Sequence, residues 1–104
     1  MRRGEVWIAE VGGTPRPVLV LTRDEVLDVR ANVTVAEVTT QDRGLSVEVP
    51  IGPEVGIDRA SVINGDGIHT IAQRRLTRRI GDVGPEVLVE VCTAIAIALG
   101  CDER

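Results

Sequence analysis

Pro15-Arg16-Pro17-Val18-Leu19-Val20-Leu21-Thr22 sets one arginine between two prolines at the mouth of an unbroken apolar strand. Each proline fixes its own φ, removes an amide donor and pushes the residue before it toward extended geometry. Arg16 is thereby held extended at a strand entrance. A guanidinium in a fixed place is a planar fork suited to phosphate or carboxylate. Two readings stay open for it: an external anion, or an internal acid such as Glu37.

Working outward from this strand, residues 4–11 alternate well enough for a preceding one. Val6, Ile8 and Glu10 fall on one face, and Glu5, Trp7, Ala9 and Val11 on the other. Gly12-Gly13-Thr14 is a turn, so residues 4–11 and 16–22 form a hairpin. Residues 24–30 read as a short helical turn or loop with Asp24 as its cap. A third strand covers residues 32–39, and a fourth covers 45–50 after the Arg43-Gly44 turn. Residues 52–58 read as loop. Residues 60–64 and 68–71 read as two short strands parted by Gly65-Asp66-Gly67, and 75–80 as the last strand. Strands this short and regularly spaced predict a single, mainly β domain built as a small barrel.

The chain closes differently. Gly84-Pro85-Glu86 is a helix start, with proline at the first helical position and an acid in the first turn, and Gly100 is a stop. Leu88, Val91, Cys92, Ile95 and Leu99 make an apolar stripe, which Val87, Val89, Ala94, Ile97 and Ala98 widen over most of the circumference. A helix apolar nearly all round calls for cover on more than one side. In a chain of 104 residues that points to a partner subunit.

Composition narrows the function. All twelve basic residues are arginine, a bias that codon usage alone can produce, and Trp7 is the one aromatic. The net charge of −4 argues against a general nucleic-acid coat protein, so contact with nucleic acid would be local. Without aromatics the usual base-stacking platforms are missing. Met1-Arg2-Arg3 followed by Gly4 and Glu5 does not read as a secretory leader, and residues 87–99 are too short and interrupted to span a bilayer. Cys92, Cys101 and His69 are too few for a disulfide framework or a four-ligand zinc site. The expectation is a reduced, cytoplasmic protein with no metal and no cofactor.

Conventional catalytic groups are sparse. His69 at a strand edge reads as structural or exposed before it reads as catalytic, and Cys92 reads as helix core. No glycine-rich phosphate loop is present. What remains is Arg16 together with Thr39, Thr40 and Gln41 at the end of the third strand, just before Asp42 and Arg43. Such a set can run phosphodiester chemistry when the substrate brings its own nucleophile, as RNA does in its 2′-hydroxyl; the protein then orients the phosphate and stabilises its developing charge. The cluster Arg74, Arg75, Arg78 and Arg79 reads as a solvated edge strand or as backbone-phosphate contact.

The order of pieces is that of a known family. Arg3-Gly4-Glu5-Val6-Trp7, Arg16-Pro17-Val18-Leu19-Val20, Val35-Ala36-Glu37-Val38-Thr39, Ser61-Val62-Ile63-Asn64, Ile68-His69-Thr70-Ile71 and Arg75-Leu76 before a C-terminal helix resemble the MazF/PemK toxins. The resemblance implies an SH3-like barrel with a C-terminal helix, the superfold shared with CcdB. It further implies a homodimer, metal-independent cleavage of single-stranded RNA at short sequences, and neutralisation by a cognate antitoxin whose acidic tail crosses the RNA groove. By position, the family's catalytic arginine falls on Arg16 and its threonine on Thr39. Thr40, Gln41, Arg43, Arg23 and Arg78 follow as candidates for RNA contact. Two departures bear on gating and cleavage sequence: the loop at residues 12–15 is short, and His69 stands where relatives often carry arginine. The alternatives are a CcdB-like, gyrase-binding toxin without enzymatic activity, or a degenerate module that retains only antitoxin contact.

Overall fold

The structure is a computed structural model and describes residues 1–101. Six strands form one antiparallel, strongly curled sheet: β1 (Glu5–Val11), β2 (Thr14–Val20), β3 (Asn32–Thr39), β4 (Glu48–Ile51), β5 (Ser61–Ala72) and β6 (Leu76–Asp82). Their spatial order is β4-β5-β3-β2-β1-β6. A short helix α1 (Asp24–Leu27) joins β2 to β3, and the C-terminal helix α2 (Pro85–Leu99) follows β6. The expected barrel with a terminal helix is present as this curled sheet, with β4 and β6 at its ends. No helix among the described residues is long and apolar enough to cross a membrane.

The unbroken run Val18-Leu19-Val20 is explained by burial on both faces. Leu19 enters one cluster with Val6, Ala36, Ile63, Val91 and Ala94 under α2. Val18 and Val20 enter a second cluster with Ala9, Val33, Val35, Leu27 and Leu76. Strand residues alternate faces with period two, so a strand wedged between two clusters must be apolar at every position. The mixed faces of β1 follow: Val6 serves one cluster and Ala9 the other. The face of Val11 lies outside what is described.

Several boundaries differ from expectation. The hairpin is tighter, because Gly12 and Gly13 take φ of 61° and 81° and strand pairing resumes at Thr14 opposite Val11. Two consecutive positive φ values are the type I′ turn that suits strand twist. The two strands expected at 60–64 and 68–71 are one strand, β5, with a bulge: Glu37 pairs with Asn64, while Ala36 pairs with Ile68. The glycines at 65 and 67 mark that irregularity rather than a turn. Gly65 passes so close to α2 and Val47 that an added Cβ would stand 2.9 Å from the Val47 carbonyl. The fourth strand is shorter than expected and begins at Glu48. A 3₁₀ turn, Pro53–Val55, interrupts the expected loop. Asp24 is no helix cap; its carboxylate accepts the Arg3 amide at 2.7 Å, and Arg23 takes the cap position without a side-chain bond. Cys92 is exposed rather than core, with the Arg3 guanidinium 3.2 Å from its sulfur.

Helix α2 buries Val91 and Ala94 and half-buries Val87, Leu88 and Ile95. Val89 remains 66% exposed and Leu99 68% exposed. The helix is therefore covered on one side only, and an apolar flank is left open.

Candidate active site

The prolines that open the strand also open the site. Pro15 and Pro17 stand opposite Glu10 and Ile8 of β1, so their missing amides lie on the β3 side of the strand. The β2–β3 ladder accordingly ends at Val18 opposite Glu37. Beyond that point β2 and β3 part, and a groove of about 540 Å³ occupies the gap. Arg16 and Thr14 from β2 line one wall, and Thr39 and Thr40 from the end of β3 line the next. Arg78 from β6 and the Asp58-Arg59 pair before β5 complete it.

The Arg16 side chain is exposed and makes no hydrogen bond or ion pair among the described residues. The internal acid considered for it, Glu37, is bonded instead to His69. The Thr39 hydroxyl accepts the Gln41 amide at 3.1 Å, which leaves its own proton available to a ligand. Three guanidiniums, from Arg16, Arg59 and Arg78, face the groove against one carboxylate, Asp58. On a chain of net charge −4 this is a local positive site.

The groove brings together Arg16, Thr39, Thr40 and Arg78. Gln41, Arg43 and Arg23 are not among its walls. Arg43 lies 3.7 Å from Glu48, whose nearly buried carboxylate also accepts the Arg43 and Leu45 amides at 3.0 and 2.9 Å. Arg43 is thus engaged in closing its own loop. Arg79 pairs with Glu5 and Asp82, and Arg75 donates to the Glu10 carbonyl, so these members of the second arginine cluster hold the fold. Arg59 escaped the sequence reading. It shares with Arg16 a place at the entrance of an expected strand, here residues 60–64, but lacks the flanking prolines that marked Arg16. Among the described residues no three His, Cys, Asp or Glu side chains gather as a metal cluster would require.

The wall opposite Arg16 depends on a close backbone approach. Gly56 has φ of 90°, and an added Cβ there would lie 2.5 Å from the Ile80 carbonyl. At Gly81 it would lie 2.1 Å from the Val55 carbonyl. These two glycines let the 3₁₀ turn press against β6, which places Ile57 to Arg59 beside Arg78.

Comparison with known proteins agrees with this architecture. The family described as "PemK-like, MazF-like toxin of type II toxin-antitoxin system" matches residues 2–99. The chain is 41% identical over 102 residues to "Probable endoribonuclease MazF2" of Mycobacterium tuberculosis, covering 97% of this chain and 100% of that protein. It is 37% identical over 103 residues to "Probable endoribonuclease MazF5" of the same species, covering 95% and 93%. Among solved structures, "Mycobacterium tuberculosis toxin MazF-mt6" superposes with a TM-score of 0.88 at 38% identity, over 92% of this chain and 96% of that one. "Endoribonuclease in complex with its cognate antitoxin from Mycobacterial species" superposes with a TM-score of 0.89 at 28% identity, over 100% and 99%. With its fold, its full-length match and these relatives in agreement, the chain belongs to the PemK-like, MazF-like toxin family of type II toxin–antitoxin systems.

Proposed function

We propose that this protein is a toxin endoribonuclease that cleaves single-stranded RNA within the groove at Arg16. The observation that carries this reading is Arg16 itself: an arginine without an internal acid, held beside Thr39 and Arg78 in one cleft. The 2′-hydroxyl attacks the adjacent phosphate, the P–O5′ bond breaks, and the products are a 2′,3′-cyclic phosphate and a 5′-hydroxyl. Because the substrate carries its nucleophile, the protein needs no activated water, and the reaction is proposed to run without metal. Arg16 binds the scissile phosphate and stabilises the charge that builds on it. Thr39 donates a hydrogen bond to the same phosphate or orients the 2′-hydroxyl. Arg78 and Thr40 hold the flanking backbone. Gln41, Arg43 and Arg23 would touch RNA only beyond the groove. The gyrase-binding and degenerate alternatives have no feature of this groove in their favour, and the relatives' names favour the nuclease.

Single-turnover cleavage of RNA in EDTA tests this reading. The parent should cleave. Arg16→Ala should lose at least roughly 10²–10³ in rate, the loss typical of one preorganised donor to a developing oxyanion. Arg16→Lys should recover only part of it, because the fork is gone. Arg78→Ala should chiefly weaken binding and lower the salt slope by about 0.7, the share of one phosphate contact on a single strand. An Arg16→Ala variant as fast as the parent would place the chemistry elsewhere.

Two partners complete the proposal. A second copy covers the open flank of α2 to give a homodimer. A cognate antitoxin, the kind of partner named for a similar solved structure, lays an acidic, extended tail along the arginine groove. The proposed place of action is the cytoplasm, where RNA and antitoxin are met.

A further inference from the structure

The cleavage proposed above takes a proton from the 2′-oxygen, yet its principal groups exchange none near neutral pH. A guanidinium keeps its proton throughout the range in which proteins work. A threonine hydroxyl is no readier to accept one. Beyond Arg16, however, lies a second pocket of about 250 Å³, which shares Arg16 and Thr14 with the first and adds Val18, Glu37 and His69. Three adjacent strands put these side chains on one sheet face. Arg16 and Val18 share a face of β2 by the two-residue period. Glu37 stands opposite Val18 on β3. His69 on β5 stands opposite Val35, two residues from Glu37 on the same face of β3. Strands are spaced about 4.8 Å apart, so β2 and β5 lie about 10 Å apart across β3, a span that a ribose–phosphate unit can bridge.

The histidine in this pocket is oriented. Its Nε2 is bonded to the Glu37 carboxylate, while Nδ1 has no hydrogen-bond partner among the described residues. Both side chains are partly open to solvent, at 42% for His69 and 34% for Glu37. A carboxylate that accepts Nε2–H holds the neutral ring in the tautomer whose Nδ1 lone pair is unused. We propose that His69, oriented by Glu37, is the general base of the ribonuclease reaction, an inference that rests on the nuclease reading. Nδ1 takes the 2′-hydroxyl proton as the 2′-oxygen bonds to phosphorus. The P–O5′ bonding pair leaves on the 5′-oxygen, which takes a proton from solvent water. The imidazolium is stabilised by Glu37 and returns its proton to solvent. Glu37 is a positioning residue. The charged groups facing His69 in this pocket are Glu37 from β3 and Arg16 from β2; the hairpin tip adds only Gly12 and Thr14.

The test is the pH profile of single-turnover RNA cleavage by the parent, His69→Gln, His69→Ala, Glu37→Gln and Arg16→Ala, each checked for folding by thermal melting. The parent rate should rise with pH and then level off, as for a reaction whose base must be unprotonated to act. His69→Gln should lose roughly 10²–10⁴ in rate together with that inflection. Added imidazole should restore His69→Ala but not Arg16→Ala. Glu37→Gln should keep an inflection, displaced from the parent's, with a smaller loss. A parent that cleaves while His69→Gln stays within about threefold of it, or keeps the same inflection, overturns this inference alone. A parent that cleaves no RNA overturns the nuclease reading and this inference with it.

Discussion

Glu5 explains at the residue scale why the chain opens as it does. Its carboxylate accepts the Arg2 amide at 2.7 Å and the Trp7 indole N–H at 3.1 Å, and it pairs with Arg79 at 2.8 Å. Burial alone would raise its pKa. The hydrogen bonds from Trp7, Arg2 and Arg79, with the Arg79 charge, outweigh that and hold it below the ordinary value of 4.5. A carboxyl whose folded pKa is depressed contributes stability above its unfolded pKa and loses it as pH falls through the folded value. The stability from Glu5 should therefore be complete at neutral pH and fade as pH drops below 4.5. Glu5→Gln should cost about 2–3 kcal/mol at pH 7 and flatten the acid limb of a denaturation series. An unchanged acid limb would show that the carboxylate is not a source of that limb. Gly4 beside it is equally specific: with φ of 90°, it accepts the Val83 amide and donates to the Val20 carbonyl, both at 2.9 Å. The Arg3-Gly4-Glu5-Val6-Trp7 signature is a structural knot, while Arg16 belongs to the groove.

Among the elements, the contact between the 3₁₀ turn and β6 sets the shape of the groove. Gly81→Ala would drive a methyl against the Val55 carbonyl, a backbone atom with no rotamer to yield. The expected outcome is a loss of about 1–3 kcal/mol in urea denaturation. RNA affinity should weaken with it, because Arg59 rides on the displaced segment. A variant as stable as the parent, with intact binding, would show that the approach is looser than the structure describes. The bulge in β5 plays a parallel part on the other side. It leaves residues 65–67 out of the ladder with β3, so that β5 pairs with β4 through residues 61–64 and with β3 through residues 62–64 and 68–72.

At the scale of the whole molecule, α2 is the unfinished surface. Val89 and Leu99 are largely exposed, and Ile97 borders a cleft of about 310 Å³ between α2 and β4. A second copy should cover this flank, and light scattering at micromolar concentration should return twice the chain mass of 11.2 kDa. Val89→Glu with Ile97→Glu should yield a folded monomer, since glutamate suits an exposed helix position and the two sites contribute little to either core. A monomeric parent would contradict the dimer. Antitoxin binding belongs to this scale as well. Titration of an acidic antitoxin tail should raise the apparent Kd for RNA in proportion to the tail present. Inhibition with RNA affinity unchanged would place the tail outside the groove.

Local chemistry made much of this protein legible from its residues alone. Proline geometry marked Arg16, a double glycine marked the hairpin, Pro85 and Gly100 bracketed the helix, and Arg3-Gly4-Glu5-Val6-Trp7 carried the family. Each is a property of a few neighbouring residues, which a chain displays before it folds. The pairings of residues far apart were decided only by tertiary structure. The bulge that fuses two expected strands into β5 depends on which carbonyl of β3 each amide meets, and Gly65 looks the same in a turn as in a bulge. Arg59 joins Arg78 only because two glycines allow the 3₁₀ turn onto β6. Glu37 could have been the partner of Arg16 or of His69, and the register of three strands made it the partner of His69. Sequence periodicity sets the face of a strand on which a side chain stands. Only the strand register sets which side chain stands beside it.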